Sequence, residues 1–278
     1  MQRAAQVLKR SKQQVTSLFN EARLGKAVDP QQCLPLVEQI SASLARNGSA
    51  LLSLARLKTK DEYTYMHSVA VCALMVALGR QLGLSEQEVQ EAGFAGLLHD
   101  IGKMAMPLDV LNKPGKLSDD EYAVMRSHPE RGHAILLGAG AAVSEAVLDV
   151  CLHHHEKMDG TGYPHRLAGE QISRLARMGA ICDVYDAITS DRPYKTAWDA
   201  SGSLARMGCI ACLPDHVAIY DRHRGEGVAL LLLCREKDHN SDAVTRTRRI
   251  NDVPGYCPVC RARHTGHVRV YHGKHALP

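Results

Sequence analysis

Eight of the fifteen histidines lie within the first 208 residues, and most stand beside an aspartate or another histidine. His99 and Asp100 are adjacent and run into Ile101-Gly102-Lys103; His153-His154-His155-Glu156 runs into Asp159-Gly160-Thr161-Gly162-Tyr163-Pro164. His67 and Asp183 fall inside strongly apolar stretches, and His128 precedes a proline. An imidazole or carboxylate on a buried helix costs several kcal/mol when left unpaired. A shared cation relieves that cost and favours neutral histidine and ionised aspartate as ligands. One helix cannot surround a metal, so ligands so far apart in sequence predict a site in the core of a helical bundle. Each residue taken alone has a plainer explanation. His67 could be a hydrogen-bonded core histidine, and His99-Asp100 could end a helix before Gly102. His153, His133 and His165 read as a helix cap or as solvated and locally bonded groups.

The elements that must carry these residues are helical. Between Asp61 and Leu82, Met66, Val69, Ala70, Ala73, Val76 and Ala77 share one face while Val71, Leu74 and Leu78 occupy the other. A helix apolar all round is a buried one. Ser85 with Glu88, and Ser118 with Glu121, have capping-box spacing and predict helix starts, the first over Glu86–Leu98 and the second running through His128. Further helical runs cover Ala142–His153 and Ile172–Ser190. Ahead of these, residues 1–58 alternate amphipathic patches with breakers, the last at Asn47-Gly48, and read as a helical lead-in. No internal repeat and no strand pattern stands out.

Composition agrees. Aromatic residues make up 4% of the 278, against abundant Leu and Ala, which disfavours a β-sandwich or barrel and suits packed helices. The net charge of +4 lies wholly beyond residue 208, so the main body is neutral and offers no basic surface for nucleic acid. No apolar run approaches the ~20 residues needed to span a bilayer. The N-terminus lacks the apolar core of a secretory signal. The expectation is a soluble cytoplasmic protein with no membrane contact, its nine cysteines reduced. Residues 208–278 are rich in Arg, His and Cys and lose helical periodicity, so they read as an atypical, irregular tail. Cys257 and Cys260 with His264 and His267 imitate a zinc ligand set, but the gap between the pairs is far shorter than in a zinc finger.

His99-Asp100 resembles the doublet of the HD phosphohydrolase superfamily. His154-His155-Glu156, Asp159-Gly160 and Gly162-Tyr163-Pro164 match the HHExxDGxGYP signature of its HD-GYP branch. The likeness runs from about Glu62 to Met207. It implies an all-α HD-domain bundle over residues 59–207 with a buried metal site, the lead-in being a remnant of a regulatory module. The activity it implies is hydrolysis of cyclic di-GMP to pGpG and/or GMP through a metal-bridged hydroxide. By position, the implied metal ligands are His67, His99, Asp100, His128, His154, His155 and Asp183, with Asp100 bridging. Lys103 would reach a scissile-phosphate oxygen, making Asp100 and Lys103 the catalytic pair. Arg192 and Lys195 would hold substrate phosphates and Tyr163 would shape the pocket, while Asp186 could orient a ligand or contact substrate. Some relatives add a third metal through a glutamate four residues before the first histidine. Tyr63 stands there in this chain, so two ions are expected.

The chemistry is coherent without the likeness. Two nearby cations can ionise a bridging water and neutralise phosphoryl oxygens during in-line attack. Mixed imidazole and carboxylate ligands suit Fe or Mn better than Mg. Gly160 and Gly162 permit a close approach of backbone to ligand. A second reading remains open: a catalytically weak module that binds cyclic di-GMP or a diguanylate cyclase (GGDEF) partner, since the tail departs from the helices that continue the family's fold.

Overall fold

The computed structural model describes residues 2–55, 63–139, 143–189, 245–249 and 267–271. Nine α-helices lie among them: α1 (Gln2–Arg23), α2 (Leu34–Ala55), α3 (Tyr63–Gln81), α4 (Glu86–Leu98), α5 (Leu108–Leu111), α6 (Asp119–Met125), α7 (His128–Leu137), α8 (Glu145–His153) and α9 (Arg174–Thr189). The fold class is the expected all-helical bundle. In α3, Val69 to Val76 and Leu78 are buried, so the helix that is apolar all round is the central one. Helices α1, α2, α4 and α9 pack around it, and α8 bridges α4, α7 and α9.

Both capping boxes form. Ser85 Oγ accepts from the Glu88 N–H at 3.3 Å while the Glu88 carboxylate accepts from the Ser85 N–H at 2.8 Å. Ser118 and Glu121 repeat the exchange at 3.3 and 2.6 Å. Each box satisfies two donors that a helix start otherwise leaves orphaned.

Three features differ from expectation. The helix expected to run through His128 stops at Met125, and α7 begins at His128 with Pro129 in its first turn. Proline has no N–H to donate and a φ preset for a helix start, so it begins a helix where it would break one. Conversely, α2 continues past Asn47-Gly48 to Ala55. The cost of a helical glycine, about 1 kcal/mol against alanine, does not stop a helix whose Leu36, Val37, Ile40 and Leu44 are anchored in the core. Lastly, where the tail was read as irregular, β1 (Thr245–Arg249) pairs antiparallel with β2 (His267–Tyr271), Thr247 opposite Arg269. Both strands alternate β-branched residues with arginine, a pattern that favours extended backbone. Cys257, Cys260 and His264 lie outside the described residues.

The lead-in is not a separate layer. Leu8, Val15, Leu18 and Phe19 of α1 and the buried face of α2 belong to the same hydrophobic cluster as α3, α4, α8 and α9. Arg23 at the end of α1 reaches Met104 Sδ at 3.6 Å, in the 3₁₀ turn Ile101–Ala105 that follows α4.

Candidate metal centre

The chemistry gathers where the ends of three helices meet the interiors of two others. His67 comes from the first half of α3. His99 caps α4, and Asp100 and Lys103 follow on the 3₁₀ turn. His128 opens α7, His154 caps α8 with His155 next, and Asp183 and Asp186 come from α9. The turn holding Asp100 sits so close to α7 that a Cβ at Gly102 would overlap the His128 carbonyl oxygen and the Gly132 nitrogen. Only glycine allows that contact, and it sets the distance between Asp100 and His128.

Three imidazoles are oriented alike. The Nδ1–H of His99 donates to the Gly96 carbonyl at 2.8 Å, and that of His128 to the Met125 carbonyl at 2.8 Å. His154 Nδ1–H donates to the Val150 and Cys151 carbonyls at 3.1 and 3.0 Å. A carbonyl only accepts, so each Nδ1 carries the proton and each Nε2 presents a lone pair. Those lone pairs converge on Asp100: His99 Nε2 lies 3.2 Å from Oδ2, and His128 and His154 Nε2 lie 3.3 and 3.8 Å from Oδ1. His128 and His154 Nε2 are 3.3 Å apart. His99 Nε2 and Asp100 Oδ1 are buried with no hydrogen-bond partner.

A cluster of buried acceptors with lone pairs facing inward is unfavourable by itself, and a cation resolves it. The donor set therefore fits a metal. Ligand atoms of Asp100, His128, His154 and His155 lie within 4.8 Å of one another, as do those of His67, His99 and Asp100. Asp100 belongs to both groups, the position a bridging carboxylate must take. His67 Nε2 stands 3.0 Å from Asp183 Oδ1 and 3.4 Å from Asp100 Oδ2, and His155 Nδ1 stands 3.8 Å from Asp183 Oδ2. All seven residues expected as ligands thus meet in one place.

The electrostatics match this arrangement. Burial alone would raise the Asp100 carboxyl, but His99, Lys103 and His128 outweigh it and hold it well below the usual carboxylate range. Asp183 is likewise held low against burial by its bond to His67. Burial and the neighbouring His155, His99 and His128 push His154 well below its ordinary value, and burial brings His155 down to about 3. Both are neutral at pH 7, the form that ligates metal. Burial lowers His67 too, but the bonds to Asp183 and Asp186 more than reverse it.

Lys103 Nζ donates to Asp100 Oδ2 at 2.6 Å. The side chains of Lys103 and His155 are 23% and 22% exposed while the remaining ligands are nearly closed, so the centre opens to solvent on that side. Tyr163 stacks on His155 there, ring centroids 4.7 Å apart at 26°. Asp186 is buried, with its Oδ2 2.5 Å from His67 Nδ1. That geometry supports the role of orienting a ligand. Arg192 and Lys195 lie outside the described residues.

Two positions had no role assigned from sequence. Glu156 is buried, and its carboxylate accepts from the backbone N–H groups of His165 (2.7 Å) and Leu167 (3.0 Å), clamping the loop that carries Tyr163. Its place directly after two expected ligands was the available signal. Asp149, one helical turn before His153, takes that residue's Nδ1–H at 2.7 Å; Ser173 Oγ donates to its other oxygen, and His153 Nε2 lies 3.0 Å from His165 Nδ1. The i, i+4 spacing of Asp149 and His153 was legible.

Comparison with known proteins is consistent with this geometry. The HD domain family profile matches residues 38–209. A cyclic di-GMP phosphodiesterase of Pseudomonas aeruginosa is 62% identical over 204 residues, 73% of this chain and 49% of that protein. The cyclic di-GMP phosphodiesterase response regulator RpfG of Xanthomonas campestris pv. campestris is 42% identical over 184 residues, 64% of this chain and 48% of that one. This chain therefore spans about half the length of these curated relatives. The solved structure of an HDG"Y"P protein from Bdellovibrio bacteriovorus superposes with a TM-score of 0.61 over 73% of this chain and 64% of that one, at 20% identity, a likeness of fold alone.

Proposed function

Because this chain belongs to the HD domain family, we propose that it is a metal-dependent phosphodiesterase that hydrolyses cyclic di-GMP to pGpG and/or GMP. The observation that carries this reading is the convergence of His67, His99, His128, His154, His155 and Asp183 around Asp100, with the lone pairs of His99, His128 and His154 inward and Lys103 alongside. The names of the relatives support the substrate. The proposed content is two divalent ions, Fe or Mn, held by His67, His99, Asp100 and Asp183 on one side and by Asp100, His128, His154 and His155 on the other. Such ions supply Lewis-acid charge and a nucleophile at neutral pH.

The chain's own groups do the positioning. Asp100 spans both halves, so it sets their separation. His99, His128 and His154 spend their Nδ1 protons on backbone, which prevents the rings from turning their lone pairs away. Asp186 performs the same service for His67. Lys103, on the open side, holds positive charge beside Asp100 and can pass to a non-bridging oxygen of the scissile phosphate as negative charge develops. Tyr163 walls the entrance, and Arg192 and Lys195 are proposed phosphate contacts.

The proposed location is the cytoplasm. The four described cysteines are free and buried, and no described helix is long and apolar enough to cross a membrane. The proposed units are residues 1–58, 59–207 and 208–278, and a diguanylate cyclase (GGDEF) protein is the proposed partner. Elemental analysis of the purified protein, with cyclic di-GMP turnover followed on the same sample, tests the function. Near two Fe or Mn per chain with turnover is the expected result. Metal without turnover overturns the catalytic reading in favour of a binding module.

A further inference from the structure

Arg126 closes α6, a helix with no buried residue and with Tyr122 and Val124 exposed at 51% and 40%. Its guanidinium carbon lies 4.6 Å from the centroid of the Tyr163 ring and 5.8 Å from that of Tyr122. Tyr163 in turn stacks on His155, a member of the metal-ligating cluster. The three side chains form a column that starts at the centre, on its open side, and ends in a cation.

Among the described residues the charge at the end of that column has no counter-ion. Among the described residues no carboxylate lies within ion-pair distance of Arg126 and no acceptor takes its guanidinium hydrogens. Lys103, by contrast, is paired with Asp100 at 2.6 Å, Lys113 with Glu121 at 2.6 Å and Arg80 with Glu86 at 3.1 Å. The Tyr163 ring fixes where the guanidinium sits through cation–π attraction, yet it accepts no strong hydrogen bond, so the planar fork of N–H donors stays available.

We infer that Arg126 is a phosphate-binding residue: held over Tyr163, it takes the second phosphodiester of a cyclic dinucleotide while the first occupies the Asp100 centre. This rests on the substrate proposed above. A cyclic dinucleotide carries two phosphodiesters, and only one of them can sit at the centre when it is cleaved. The other brings a full negative charge to the rim, where desolvating it without a partner is costly. A guanidinium is the group best shaped to meet it, because its fork pairs two phosphate oxygens at once.

The test compares two substrates on the metal-loaded protein. Cyclic di-GMP has a second phosphate, and bis(4-nitrophenyl) phosphate has none. For Arg126→Ala the ratio of kcat/KM for cyclic di-GMP to kcat/KM for bis(4-nitrophenyl) phosphate is expected to fall about tenfold, with the loss in KM rather than kcat. Arg126→Lys, which keeps the charge but not the fork, should recover part of it. Cyclic di-AMP should suffer the same loss, since it shares the phosphates and not the bases. An unchanged ratio overturns the assignment, and so does a loss confined to cyclic di-GMP, which would place a guanine edge at Arg126. Equal losses on both substrates, with Arg126→Lys no better than Arg126→Ala, would mark a structural role and also overturn it. If the unmodified protein cleaves bis(4-nitrophenyl) phosphate but no cyclic dinucleotide, the substrate reading fails and Arg126 falls with it; if it cleaves cyclic di-GMP and the ratio stays put, only Arg126 falls.

Discussion

Two clusters among the described residues gather histidines around an aspartate within a few residues of each other, and only one has a donor set that fits a metal. Around Asp100, the rings of His99, His128 and His154 have spent their protons on backbone carbonyls and face one another with lone pairs. Around Asp149, every polar contact has a donor and an acceptor: His153 Nδ1–H and the Ser173 hydroxyl donate to the carboxylate, and His153 and His165 share one hydrogen bond. His153 and His154 are neighbours in the chain, yet they lie in opposite situations. Residue type does not make a metal site; a deficit of donors in a closed volume does.

The sharpest way to break the comparison is at its centre. Asp100→Ala removes the carboxylate shared by both ligand groups, so metal content should fall below one ion per chain and cyclic di-GMP turnover by a factor on the order of 1,000 or more. Full activity in that variant would end the two-metal reading.

The pH dependence of stability separates the clusters next. In the metal-free protein, His155 and His154 have folded pKa values below their unfolded value, His155 at about 3 against 6.5. As pH falls below about 6.5 the unfolded chain takes up protons that the folded chain declines, so stability drops across that window. His67, whose pKa is raised, works the other way: its contribution is complete below about 6.5 and lost as pH rises through the raised value. Two lowered histidines against one raised leave net acid lability. Asp149 also has a lowered pKa, against its burial, because His153 and Ser173 hold the ionised form. Its contribution is present above the unfolded carboxylate value and is lost only as pH falls through the lower folded one. Chemical denaturation in chelator between about pH 5 and 7 should therefore report the Asp100 cluster rather than Asp149. His155→Ala should flatten that slope; an unaltered slope would show that His155 is not held neutral.

The smallest effect belongs to the outer cluster. His153→Ala leaves Asp149 with Ser173 and should cost about 1 kcal/mol of stability, while metal content stays at its original value. Loss of metal in this variant would erase the distinction between the clusters.

Much of the fold was legible because it is local. Ser85 and Ser118 cap helices through a partner three residues away, and α3 announces its burial by being apolar on every face. The helix break between Met125 and His128 was also local, and Pro129 was its signal. The passage of α2 through Gly48 was not local, since packing elsewhere along the helix overrides a weak propensity. Strand pairing between Thr245–Arg249 and His267–Tyr271 spans a gap too long for either segment to signal alone.

At the centre, the sequence by itself determined which residues could be ligands. It also carried the orientation of three of them, because His99, His128 and His154 each donate to a carbonyl three or four residues earlier, at a helix end where the last carbonyls can take side-chain donors. Only the tertiary structure decided that Asp186 would hold His67 across 119 residues, that Glu156 would clamp the Tyr163 loop, and that Arg126 would rest over Tyr163. Those pairings need α3 packed on α9 and α6 brought to the mouth of the site. Side chains from separate elements meet only where burial of apolar faces has already fixed the elements against each other.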